Sequence, residues 1–104
     1  MILYGLKNCD TCRKALKSLP DATFRDVRAD GVEAEVLQSA YAEFGGSLLN
    51  TRSTTWRGLS ETERASDPIA LLQAHPTLMK RPLIQTQDQL FLGWSAQTQA
   101  MLLG

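Results

Sequence analysis

The apolar positions of this chain change their period several times, and each change marks an element. "MILYGL", Met1 to Leu6, is an apolar run containing Ile2 and Tyr4 and reads as a strand. "KNCD" then supplies turn and cap residues, and "TCRKALKSL" places Cys12, Ala15, Leu16 and Leu19 at helical spacing. That helix is predicted to start between Asn8 and Asp10 and to stop at Pro20 and Asp21, because proline cannot continue it. "TFRDV", Thr23 to Val27, alternates as a second short strand, and Asp30 with Gly31 marks a turn. "VEAEVLQSAYAEFGG" carries Val32, Val36, Leu37, Ala40 and Phe44 as an apolar helical stripe, stopped by Gly45 and Gly46. "LLNTRSTTWRGLS" is polar and threonine-rich, hence loop or broken helix, and "SETERASD" reads as a solvated helical face. "DPIALLQAH", Asp67 to His75, has Asp and Pro in the order that opens a helix, with His75 complementing its C-terminal dipole. "LIQT" and "QLFLGW", separated by Gln87 and Asp88, read as a hairpin, and "SAQTQAMLL" as a closing helix capped by Ser95.

The order strand, helix, strand, helices, strand, strand, helix is an α/β pattern of thioredoxin type with a helical insertion. Two strands joined through a helix pair in parallel, and the late hairpin adds antiparallel strands, which gives a mixed four-stranded sheet. A length of 104 residues suits one domain spanning residues 1–104, with a core large enough to need no structural staples. With 43% hydrophobic and 21% charged residues the chain has the balance of a folded protein. Lys plus Arg and Asp plus Glu are both 11, so no domain-wide positive field attracts nucleic acid, and direct nucleic-acid binding is not expected. The opening residues lack the basic start and apolar run of a signal peptide, and no apolar stretch approaches membrane-spanning length. A cytoplasmic protein without membrane contact is the expectation.

Both cysteines, Cys9 and Cys12, lie in "KNCDTCRKAL". Three readings compete: a redox pair, zinc ligands, or buried packing. Structural zinc takes four protein ligands, and the chain adds only His75, so no metal site is expected. In a reducing compartment a close-spaced pair points to redox chemistry ahead of a structural disulfide or plain burial. The predicted helix sets Cys9 at its N-terminus, where free backbone N–H groups favour a thiolate, helped by Lys7, Arg13 or Lys14 if their side chains reach it. Cys12, one turn later on the same face, is the candidate resolving thiol.

Three ordered motifs, "LYGLKNCDTCRKA", "LLNTRSTTWRGL" and "HPTLMKRPLI", resemble the arsenate reductase-related (ArsC/Spx) family, with the YffB-like branch the nearest in motif. The resemblance implies a thioredoxin-like fold with Cys9 as nucleophile and Arg81 beside it as thiolate or anion partner. It also implies a cis peptide bond before Pro82. Arsenate reductases proper supply three arginines. Arg81 matches one, Arg52 or Asn50 falls near the second, and the third region reads "LFLGWS" without an arginine.

The implied function is a small thiol–disulfide oxidoreductase, glutathione-dependent as in the YffB-like branch. Cys9, Cys12 and Arg81 would be catalytic, with Lys7, Asn8, Arg13, Arg52 and Pro82 lining the substrate site. Thr51, Thr54, Trp56 and Arg57 are further pocket residues. Glutathione is the expected co-substrate, with no tightly bound cofactor, and a monomer is expected. A Spx-like redox regulator that binds the RNA polymerase α subunit is the alternative, in which Gly45, Gly46 or Ser47 would lie near the polymerase-facing region.

Overall fold

The computed structural model describes residues 1–103, which form two compact units: residues 1–30 with 81–103, and residues 31–80. The first unit holds the sheet. Its elements are β1 (Ile2–Gly5), α1 (Asp10–Ser18), β2 (Thr23–Asp26) and α2 (Val27–Asp30), followed after the second unit by β3 (Leu83–Gln85), β4 (Leu90–Leu92) and α7 (Ala96–Leu103). The strand order is β2-β1-β3-β4, with β1 parallel to β2 and antiparallel to β3, and β3 antiparallel to β4. The mixed four-stranded sheet is therefore the one the element order predicts.

Registry follows the burial alternation. Leu3 pairs with Phe24 and Ile84, and Ile84 with Phe91, so these side chains share one face, where they cluster with Cys12, Ala15 and Leu19 of the α1 segment. Tyr4 and Leu83 occupy the other face and are buried as well, the Tyr4 hydroxyl donating to Oε1 of Gln85 at 3.2 Å. Two-sided burial explains why "MILYGL" reads as a continuous apolar run.

The second unit is helical: α3 (Ala34–Phe44), α4 (Thr54–Arg57), α5 (Glu61–Arg64) and α6 (Pro68–Ala74), with 3-10 turns at Gly45–Leu48 and Pro76–Leu78. Helix α3 packs on α6 and buries Leu37 and Ala40 of the predicted stripe, whereas Val32 precedes the helix. Gly45, at φ 59°, ends α3 in the left-handed region that a side chain would strain. The Asp67 carboxylate caps α6 by accepting from Ala70 N–H, with Pro68 in the first turn as predicted. The "LLNTRSTTWRGLS" segment is loop broken by α4, capped by Ser53, and "SETERASD" carries α5, opened by a full capping box between Ser60 and Glu63 and exposed along residues 60–67 as a solvated helical face would be. Hydrogen bonds from Ser60 hold the Glu63 carboxyl below its usual range. Arg64 ties α5 to α4 through the carbonyl of Trp56 and lies 5.3 Å from the centre of its indole ring.

Candidate thiol site at the start of the first helix

The turn from β1 into α1 builds the site from backbone outward. Cys9 is the N-cap of α1, in extended conformation (φ −95°, ψ 117°), with its carbonyl accepting the first helical bond from Arg13 N–H at 3.0 Å. Its own N–H donates to the Leu6 carbonyl at 3.2 Å, which fixes the cysteine at the end of the strand. The neutral thiol makes no strict capping bond, so the sulfur remains available for chemistry at the position where helix N–H groups converge.

Three groups act on that sulfur. Partial burial pushes the Cys9 thiol up, but the Cys12 N–H, the Cys12 thiol and the Arg81 guanidinium all stabilise the thiolate and bring it below the ordinary value of 9.0. Cys12 goes the other way. Burial, with no solvent exposure, and the neighbouring Cys9 sulfur push its thiol up to about 11, against the counteracting backbone bond from Leu6 and the charge of Arg81. Two thiols one helical turn apart are thus separated in role by environment: the half-buried one ionises first, and the buried one keeps its proton. Both are free thiols.

The structure brings Cys9, Cys12, Arg81 and Pro82 together in the sheet-bearing unit, with the Arg81–Pro82 peptide bond cis as the resemblance implies. Lys7 and Asn8 are exposed in the turn preceding Cys9. Arg13 is engaged elsewhere than expected: its Nε donates to the Lys7 carbonyl at 2.8 Å, and it lies 3.7 Å from the Asp10 carboxylate. Arg13 closes the turn, and Arg81 is the cation that acts on the thiolate. Arg52 is exposed in the second unit, its N–H donating to Oδ1 of Asn50 at 3.2 Å, and Asn50 N–H pairs with the Leu78 carbonyl. Among the described residues there is no group of three or more His, Cys, Asp or Glu that could hold a metal ion. No helix among them is long and apolar enough to cross a membrane.

A sequence model of the ArsC family matches residues 4–101, a span that contains the thiol turn, the helical unit and the Arg81–Pro82 element. The chain belongs to the ArsC family. Among solved structures, a YffB protein superposes with a TM-score of 0.88 at 33% identity, covering 99% of this chain and 98% of its own. An arsenate reductase related protein from Brucella melitensis gives a TM-score of 0.70 at 32% identity, over 98% and 92% of the two chains. In sequence, the chain is 40% identical over 102 residues to a protein of Haemophilus influenzae, covering 89% of this chain and 90% of that one. It is 25% identical over 105 residues to the global transcriptional regulator Spx 2 of Bacillus anthracis, covering 91% and 80%. The fold is thioredoxin-like, shared with these ArsC-family neighbours.

Proposed function

We propose that this ArsC-family protein is a thiol–disulfide oxidoreductase that uses glutathione as co-substrate. The observation that carries the reading is the Cys9 sulfur at the start of α1, held below the ordinary thiol range with a buried, protonated Cys12 and the Arg81 guanidinium bonded to it. In the first step the Cys9 thiolate attacks one sulfur of a protein–glutathione disulfide. A Cys9–glutathione disulfide forms, and the substrate thiolate leaves and takes a proton from solvent. In the second, Cys12 loses its proton and attacks the Cys9 sulfur, forming the Cys9–Cys12 disulfide and releasing glutathione. Two further glutathione molecules reduce that disulfide and leave as oxidised glutathione. Arg81, which favours the Cys9 thiolate, also offers a fork-shaped donor to a glutathione carboxylate. Lys7 and Asn8, exposed beside Cys9, contribute to that substrate surface. Arsenate is the less favoured substrate, because residues 90–95 read "LFLGWS" where arsenate reductases proper carry a third arginine.

Mass spectrometry of acid-quenched mixtures tests the reading. Wild type treated with oxidised glutathione yields the Cys9–Cys12 disulfide, and Cys12→Ser stops at a glutathione adduct on Cys9. Recovery of both thiols unmodified in wild type contradicts the proposal.

The similarity to Spx 2 favours a second reading, a redox-switched regulator acting through RNA polymerase. Gly46 and Ser47, exposed in the 3-10 turn after α3, lie in the segment this reading would use. Retention of the chain by the C-terminal domain of the polymerase α subunit in one redox state is the result it requires, and no retention in either state removes it.

A further inference from the structure

Gly5 is the last residue of β1, in register with Asp26 of β2, and its φ is not positive; among the described residues the glycines in the left-handed region are Gly31, Gly45 and Gly93. Any residue adopts a strand conformation, so the backbone at position 5 makes no demand for glycine. The demand comes from space. A Cβ placed on Gly5 would collide with Sγ of Cys12 and lie 3.2 Å from Cys12 Cβ, while the nearest other side-chain atom, Leu3 Cδ2, stands at an ordinary 3.4 Å. A glycine within a strand marks a close approach, and here the approaching atom is the buried sulfur of the cysteine pair. The neighbouring backbone joins in: Leu6 bonds to Cys12 through its amide and to Cys9 through its carbonyl.

We infer that Gly5 is a positioning residue for the resolving thiol: the missing side chain leaves the seat in which β1 holds the Cys12 sulfur within hydrogen-bond reach of Cys9. The inference rests on the oxidoreductase reading above and deepens it. The resolving step requires Cys12, after losing its proton to a solvent base, to attack the Cys9 sulfur of the mixed disulfide while glutathione thiolate leaves. An alanine at position 5 displaces the attacking atom. Cysteine has one side-chain torsion, so the added methyl group is relieved either by the sulfur leaving its rotamer or by α1 shifting from β1, and either change disturbs its bonds to the Leu6 amide and to Cys9. The seat also accounts for the full burial of a residue that must react: it is sheltered from external oxidants and open toward one sulfur.

The test uses the full chain as wild type, Gly5→Ala, Cys12→Ala and the double variant. Reduced protein is mixed with oxidised glutathione, quenched in acid at intervals and weighed by mass spectrometry, and each variant is also melted in the reduced state. In Gly5→Ala the glutathione adduct accumulates because resolution slows by about tenfold, the cost of an off-rotamer side chain expressed as a rate, while capture slows less. The melting temperature falls on Gly5→Ala when Cys12 is present and falls much less in the Cys12→Ala background, because the obstructing atom is then absent. If Gly5→Ala does not fold and the double variant does, the sulfur is again the obstruction. Unchanged resolution in Gly5→Ala overturns the inference, as do equal losses of stability in the two backgrounds or failure of both variants to fold. A wild type whose adduct never resolves overturns the oxidoreductase reading, and this inference with it.

Discussion

Replacing Cys9 by serine is expected to lower the turnover of a glutathionylated peptide by at least about a thousandfold while leaving the fold as stable as before or slightly more so. A serine hydroxyl is neither ionised near neutral pH nor able to form a disulfide, so the first covalent step has no nucleophile. Cys12 cannot substitute for it, being fully buried with its thiol pushed up to about 11. Stability moves separately because Cys9 is the N-cap of α1, where a serine oxygen takes over the helix N–H groups that the sulfur faces. Serine is a preferred residue there, worth about 0.5–1 kcal/mol relative to a non-capping side chain. A coupled turnover assay beside a thermal melt separates the two effects. A folded Cys9→Ser protein that keeps its turnover excludes Cys9 as the nucleophile.

The second large effect belongs to Arg81. Methionine at that position keeps much of the side chain's length and apolar stem but removes the guanidinium that hydrogen-bonds Cys9 and stabilises its charge. The Cys9 pKa then rises, so the midpoint of its reactivity moves to higher pH. Below that midpoint the variant has less thiolate than wild type, and capture of a disulfide slows by about tenfold near neutral pH, the effect of one charge-assisted hydrogen bond. Above it both proteins are ionised and the rates converge. Arg81→Lys falls between them, since an ammonium restores the charge without the planar fork. Stopped-flow reaction with a chromogenic disulfide across a pH series gives all three curves. An Arg81→Met profile that overlays wild type would show that the guanidinium does not hold the thiolate.

How far the sequence foretold this site depends on which interactions are local. The strand, turn and helix around Cys9 follow from apolar period and cap chemistry within about twenty residues, and they place the nucleophile at the helix start without any tertiary information. Ser95, Asp67 and the glycine stop at Gly45 were legible for the same reason. Arg81 was not readable from local pattern: 72 positions separate it from Cys9, β3 brings it back beside β1, and only the family motif pointed to it. Arg13, close in sequence and basic, pointed the other way and turned out to close the Lys7 turn. Local charge suggested a partner, and side-chain direction chose another. Two-sided burial of β1 likewise concealed which neighbour sits over Gly5, because an apolar run does not say what packs on either face. The "LLNTRSTTWRGLS" segment was ambiguous for a different reason. Its helix α4 is a single turn fixed by the Ser53 cap and by Arg64, which donates to the Trp56 carbonyl, not by an apolar stripe.

The environment divides the two thiols, easing ionisation at Cys9 and holding the proton on Cys12, and the mechanism depends on that division. The most direct measurement is the alkylation rate of Cys9 and Cys12 separately, by peptide mass spectrometry, as a function of pH in the reduced wild type. The rate at Cys9 should rise through a midpoint below 9.0, and Cys12 should stay inert until the pH approaches about 11. Two thiols sharing one ordinary midpoint, or a Cys12 that reacts first, would contradict it.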